Sequence, residues 1–127
     1  MTMLTGLRFL VIEDAPDIRE VFSVLLRAEG ADVVAVGSGR EAIEACQTGK
    51  YDVILSDLGL PDIPGDVLIK EILSTCGTRA CVIVITGYGE PFISRARAAG
   101  ADIVFTKPVE WTRVLDFLYD RLLPVSA

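Results

Sequence analysis

The chain contains no histidine. That absence removes histidine-based acid–base catalysis, histidine metal ligands and any role as a histidine phospho-carrier. Cysteine is scarce: Cys46, Cys76 and Cys81 are odd in number and scattered, with no paired metal-ligand spacing. They read as reduced thiols of a cytoplasmic protein rather than a disulfide framework or a zinc site. Long apolar runs are missing as well, the longest being about five or six residues where a membrane span needs roughly 20. The segment from Met1 to Gly6 has no basic region and nothing like a signal sequence. Positive charge is in deficit, with 12 Lys and Arg against 18 Asp and Glu and a net charge of −6. No basic patch is visible, which argues against direct nucleic-acid binding by this chain.

What is present is apolar sequence in short, regular blocks. Hydrophobic residues make up 51% of the 127, enough for one well-buried core and too many for a disordered chain. Residues 7–12 read as a first strand and 31–36 as a second. Val53-Ile54-Leu55 form a third, Cys81 to Ile85 a fourth, and Asp102 to Thr106 a fifth. The third and fourth are continuously apolar, as strands covered on both faces are. Between them lie helical patterns. Asp14 is placed to cap the first helix with Pro16 in its first turn, and Ile18, Val21, Phe22, Leu25 and Leu26 recur along it. Ser38-Gly39-Arg40-Glu41 reads as a capping box opening the second helix. Residues 66–73, 91–99 and a stripe from Trp111 to Leu122 complete the set. Strand and helix alternate with short connections, which predicts an α/β domain whose parallel sheet carries helices on both faces.

Four of these strands end in polar groups: Glu13 and Asp14 after the first, Asp57 after the third, Thr86 after the fourth and Lys107 after the fifth. In open α/β sheets, ligands bind outside the carboxyl ends of the strands, so all five converge on one rim. Three carboxylates there repel one another and suit a hard divalent cation, Mg²⁺ or Mn²⁺. A carboxylate so placed can also act as a nucleophile toward phosphorus, with the cation and an ammonium neutralising the phosphoryl oxygens. Taken singly, each residue also has an ordinary reading: Glu13 and Asp14 as helix caps, Asp57 as a turn former, Thr86 bonded to nearby backbone, Lys107 as a solvated strand end. The order of the five carries the specificity.

With the acidic pair, Asp57 in Asp-x-x-x-Pro-x-x-x-Gly, Thr86-Gly87 and Lys107-Pro108 in that order, the chain resembles the receiver domain of bacterial two-component response regulators of the chemotaxis type. The likeness runs from about Leu7 to Leu123. It implies a flavodoxin-like (βα)₅ fold, doubly wound, with strand order 2-1-3-4-5. It implies that Asp57 accepts a phosphoryl group from a histidine kinase or a histidine phosphotransfer protein. Asp14, Asp57 and the carbonyl of Gly59 would hold Mg²⁺, with Glu13 acting through metal-bound water. Lys107 and Thr86 would each meet a phosphoryl oxygen, and the peptide before Pro108 would be cis. The switch is expected in the loop Gly87-Tyr88-Gly89-Glu90 and the helix after it. Tyr88 and Gly59 occupy positions that tune dephosphorylation in such domains. One departure stands out: an aromatic residue usually lies three positions before the lysine, and here Val104 takes that place. Phe105, next to it, should face the other side of the strand.

Residues 1–127 are expected to form a single receiver domain, with its core over about 7–123 and no output domain, acting as a phosphorylation-dependent switch rather than an enzyme. A receiver piece of a longer protein fits the same sequence. The face made by the fourth helix, fifth strand and fifth helix carries Arg95, Arg97, Trp111, Arg113, Tyr119 and Arg121. It is either a solvated surface or a surface for an unknown downstream partner or a second copy. Three other readings compete. A degenerate receiver would bind partners without phosphorylation. An aspartyl-phosphate phosphatase of the haloacid-dehalogenase type would need an acid where Gly59 stands. A flavodoxin would need phosphate-binding donors where Glu13 and Asp14 would repel.

Overall fold

A computed structural model describes residues 3–75 and 80–122; Cys76 and the expected end of the core at Leu123 lie outside the described residues. The elements follow in strict alternation: β1 Arg8–Ile12, α1 Pro16–Ala28, β2 Asp32–Val36, α2 Gly39–Thr48, β3 Val53–Ser56, α3 Gly65–Thr75, β4 Cys81–Thr86, α4 Phe92–Ala99, β5 Ile103–Thr106 and α5 Trp111–Leu122. The five strands make one parallel sheet in the order β2-β1-β3-β4-β5. The expected α/β fold and strand order are both found.

The continuously apolar strands make sense once their two faces are separated. Leu10, Ile12, Ile54, Val82 and Val84 pack with Ala42, Cys46, Leu68, Ile69, Ile72, Ala96 and Ala99, so α2, α3 and α4 cover one face. Phe9, Val11, Val53, Leu55, Ile83, Ile85 and Phe105 pack with Leu26, Val114 and Leu118, so α1 and α5 cover the other. Neighbouring residues along a strand thus serve opposite cores. Fully buried side chains such as Leu10, Ile54, Leu68 and Leu118 each contribute about 1.5–3 kcal/mol relative to exposure.

The helix starts separate two expectations. Ser38 caps α2: its hydroxyl accepts from the Glu41 N–H at 3.2 Å and donates to a Glu41 carboxylate oxygen at 3.2 Å. The expected Asp14 cap of α1 is not made. The helix starts one residue later than that cap would require, with Ala15 at the N-cap and Pro16 at its first position, and no side chain caps it. The Ala15 N–H donates instead to Glu13 Oε2 at 3.3 Å, which leaves the exposed Asp14 at the rim. The apolar stripe of α1 is also only partly used. Leu26 and Ser23 are buried, the Ser23 hydroxyl donating to the Arg19 carbonyl at 2.8 Å, whereas Ile18 and Val21 are exposed, as is Val24.

Candidate functional site

Glu13, Asp57 and Lys107 sit one position beyond their strands, yet their backbones remain tied into the sheet. The Glu13 N–H donates to the Val36 carbonyl at 3.1 Å, the Asp57 N–H to that of Ile12 at 3.2 Å, and the Lys107 N–H to that of Thr86 at 2.8 Å. Each side chain therefore leaves the sheet from a fixed backbone, which is how a rigid scaffold holds a reactive group in place. Thr86 is the last residue of β4 and fully buried. The peptides before Pro108 and before Pro91 are cis.

At the centre lies an ammonium between two carboxylates. Lys107 Nζ donates to Asp57 Oδ2 at 2.9 Å and lies 3.5 Å from Glu13 Oε1. Glu13 is buried and Asp57 nearly so, with 14% of its side chain exposed. Burial pushes the Glu13 carboxyl above the usual carboxylate range. The carboxylates of Asp14 and Asp57 push the same way, against the Ala15 N–H and the Lys107 charge. For Lys107, partial burial works against the charge, but the bond to Asp57, the Asp57 charge and Glu13 leave the ammonium above its ordinary range. The rim carries more negative charge than one lysine neutralises.

The donor set fits a hard divalent cation. The carboxylate oxygens of Asp14, Asp57 and Glu13 are hard donors, and the Glu13 carboxyl is buried with its pKa raised, chiefly by that burial. Among the described residues no three histidine, cysteine, aspartate or glutamate side chains form a ready-made cage. A cation held here would have to draw on backbone carbonyl and water as well, the ligation Mg²⁺ favours. Gly59 lies beside Asp57, its N–H donating to Asp57 Oδ1 at 3.2 Å.

The expected switch residues surround the same rim. The Thr86 hydroxyl accepts from the Tyr88 N–H at 3.1 Å. The Tyr88 ring leans on Gly59 so closely that a Cβ there would stand 3.0 Å from Tyr88 Cε2. Tyr88 also packs on Phe92 at 5.2 Å between ring centres, and the two border a groove of about 430 Å³ with Leu58, Leu60, Pro64 and Arg95. Val104 pairs with Val84 and packs on the α2–α3–α4 face, the face that Thr86 shares with Val84. Phe105 is buried on the opposite face, edge-on to Phe117, as its place in the strand predicts. No aromatic residue of β5 therefore shares the face of Thr86, and the Tyr88 ring, from the loop, lies against Gly59 and Phe92.

Two side chains were missed in the sequence. Arg19 Nη1 donates to the Glu13 backbone carbonyl at 2.8 Å, tying α1 to the end of β1. Asp62 accepts from the Gly39 and Arg40 N–H groups at 2.9 and 3.0 Å, tying the β3–α3 loop to the start of α2. Arg19 lies on a helix whose pattern was read only for its apolar stripe. Asp62, between two prolines, is indistinguishable in sequence from an ordinary turn former.

A doubly wound parallel sheet with an acidic pair, an aspartate, a threonine and a lysine on its carboxyl rim defines a receiver-type signalling domain. Residues 9–119 match the response regulator receiver domain family, and the chain belongs to it, the receiver of two-component signalling. A response regulator receiver protein of Anaeromyxobacter sp. (strain Fw109-5) is 28% identical over 109 residues, covering 86% of this chain and 46% of that protein. The probable transcriptional regulatory protein TcrX of Mycobacterium tuberculosis (strain ATCC 25618 / H37Rv) is 36% identical over 100 residues, covering 78% and 42%. The chain spans less than half the length of these relatives. Among solved structures, the receiver domain of a Pseudomonas aeruginosa PAO1 sensor histidine kinase has a magnesium ion coordinated in its active-site cleft. It is 27% identical, with a TM-score of 0.81, over 91% of this chain and 97% of that one. A CheY-like receiver domain from Methanospirillum hungatei JF-1 has a TM-score of 0.86 at 25% identity, over 94% of both chains.

Proposed function

We propose that Asp57 is the phosphoacceptor of a phosphorylation-driven switch, and that the observation carrying this reading is the Lys107 ammonium held between Asp57 and the buried Glu13. An Asp57 carboxylate oxygen attacks the phosphorus of a phosphohistidine. The P–O bond forms as the P–N bond breaks, and the imidazole leaves with the electron pair and takes up a proton. Lys107 turns from the Asp57 carboxylate toward a phosphoryl oxygen. Asp14, Asp57 and the Gly59 carbonyl would hold Mg²⁺, with Glu13 acting through water. When bound, the ion neutralises phosphoryl charge. The chain catalyses its own phosphoryl transfer and dephosphorylation and does not turn over an external phosphomonoester.

The donor is a histidine kinase or histidine phosphotransfer protein, because the chain holds no histidine of its own. α1 begins two residues after Asp14, and its exposed Ile18, Val21 and Val24 offer an apolar ridge beside the rim for that partner. The output runs through Thr86. Its hydroxyl now accepts from the Tyr88 N–H; turning to donate to a phosphoryl oxygen realigns it and loosens that bond, which shifts the β4–α4 loop. Downstream partners, or a second copy of the chain, read the change on α4, β5 and α5, where Arg95, Arg97 and Phe92 are exposed. The described core is one receiver domain in this reading.

The test is amide NMR of wild type and Asp57→Asn with and without a small phosphoryl donor and Mg²⁺. Shifts at residues 86–99 that require Asp57 support the switch. Shifts confined to residues 57–59 would sink the proposed output route, and no Asp57-dependent shift at all would leave a phosphorylation-independent interaction domain.

A further inference from the structure

The β3–α3 loop carries the Gly59 carbonyl, and the structure holds that loop at both ends. At the near end, the Gly59 N–H is bound to Asp57, and Leu58 is buried beneath Gly65. At the far end, the two Asp62 carboxylate oxygens take the Gly39 and Arg40 N–H groups, one each. Ile63 packs on Gly39 so tightly that a Cβ there would stand 3.0 Å from its Cβ and Cδ1. Of the neighbouring N–H groups, that of Glu41 goes to the Ser38 hydroxyl, and that of Ala42 makes the helix's first i→i−4 bond, to the Ser38 carbonyl. The start of α2 thus has two independent caps. One is local. The other reaches from a loop 23 positions away.

We infer that Asp62 is a positioning residue for the cation site: by clasping the start of α2 it fixes the span Gly59-Leu60-Pro61 and so the direction of the Gly59 carbonyl. The inference rests on the reading of Gly59 as a metal ligand. Its consequence is a reciprocal coupling between the site and α2. A clasp that favours cation binding is itself favoured by the bound cation. A purely structural cap would stabilise the helix and leave the cation untouched, and Ser38 supplies the comparison because it caps the same turn without touching the loop.

The experiment titrates Mg²⁺ alone into wild type, Asp62→Ala, Asp62→Asn and Ser38→Ala, following amide NMR shifts, with circular dichroism to confirm folding. Amide exchange at Gly39 and Arg40 is measured in wild type with and without Mg²⁺. The expected result is about tenfold or more weaker binding for Asp62→Ala, the scale of losses seen when a ligand's supporting group is removed. Asp62→Asn, which keeps one acceptor oxygen, should fall between, and Ser38→Ala should match wild type. Exchange at Gly39 and Arg40 should slow when Mg²⁺ is added. Equal affinity for Asp62→Ala and wild type, or equal losses for Asp62→Ala and Ser38→Ala, overturns the clasp while leaving the metal site standing. If the Asp62 variants do not fold, unchanged exchange at Gly39 and Arg40 in the wild type overturns it. A wild type that binds no Mg²⁺ overturns the metal reading and this inference together.

Discussion

Replacing Gly65 with alanine is expected to damage the fold through the β3–α3 loop. A Cβ at Gly65 would lie 2.6 Å from Leu58 Cδ2, 2.7 Å from Leu58 Cα and 3.0 Å from Leu58 Cβ. A rotamer change can move the first contact but not the backbone one. Leu58 is buried in the core beside α3 and follows Asp57 directly, so it cannot retreat without carrying the loop with it. Overpacking of this kind costs about 1–3 kcal/mol. Alanine recovers about 0.5–1 kcal/mol over glycine inside a helix and no more than the low end of that at Gly65, the first residue of α3, which leaves a net loss of about 0.5–2.5 kcal/mol. At about 2.1 cal/mol/K per residue, the 127 residues give an unfolding entropy of about 0.27 kcal/mol/K, so Tm should fall by about 2–9 °C. Thermal unfolding followed by circular dichroism measures this, with Gly87→Ala beside it. A Cβ at Gly87 meets nothing within 4 Å, so that variant should match wild type or gain a little. A Gly65→Ala protein as stable as wild type, or a Gly87→Ala protein that loses as much, refutes the close-approach argument.

Lys107→Met should slow Asp57 phosphorylation by about 10² or more, the scale of losing one preorganised charge-stabilising donor. The same variant should bind Mg²⁺ more tightly in calorimetry, since the ammonium no longer competes for Asp57 and Glu13. Mg²⁺ at about ten times its Kd should add about 1.4 kcal/mol to unfolding stability in a urea titration, and Asp14→Asn should abolish most of that gain. Tyr119, bound to Glu29, should ionise at about 12 instead of its ordinary 10, as read by phenolate absorbance. Because the folded pKa is the raised one, its contribution is complete below pH 10 and lost as pH climbs toward 12. Tyr119→Phe should therefore remove that alkaline step from the stability profile.

The fold was legible because its signals are local and repeated: apolar runs too short for anything but strands, helical periods between them, and glycine or proline at the joints. The rim was legible for a topological reason. A parallel alternation brings every strand's carboxyl end to one edge, so Glu13, Asp57, Thr86 and Lys107 could be gathered without knowing any distance. Phe105 was placed correctly on the far face by strand alternation alone. What failed was finer. Asp14 was assigned the cap of α1 because an aspartate before Pro16 fits that rule, but the helix starts one residue too late for it. The stripe on α1 is apolar at helical spacing, yet Ile18 and Val21 face solvent while Ser23 is buried. Periodicity reveals an amphipathic face without saying whether the domain's own core covers it. The Asp62 clasp joins a loop to a helix start distant in sequence, and no local pattern marks such a pair.

The most direct test of the central claim is the intact mass of the protein after incubation with Mg²⁺ and acetyl phosphate, run beside Asp57→Asn and Mg²⁺-free controls. The account predicts a single phosphoryl adduct that requires the metal, maps to Asp57 and is absent from the variant. An adduct that persists in Asp57→Asn, or none in the wild type with either acetyl phosphate or a phosphoramidate donor, would contradict it.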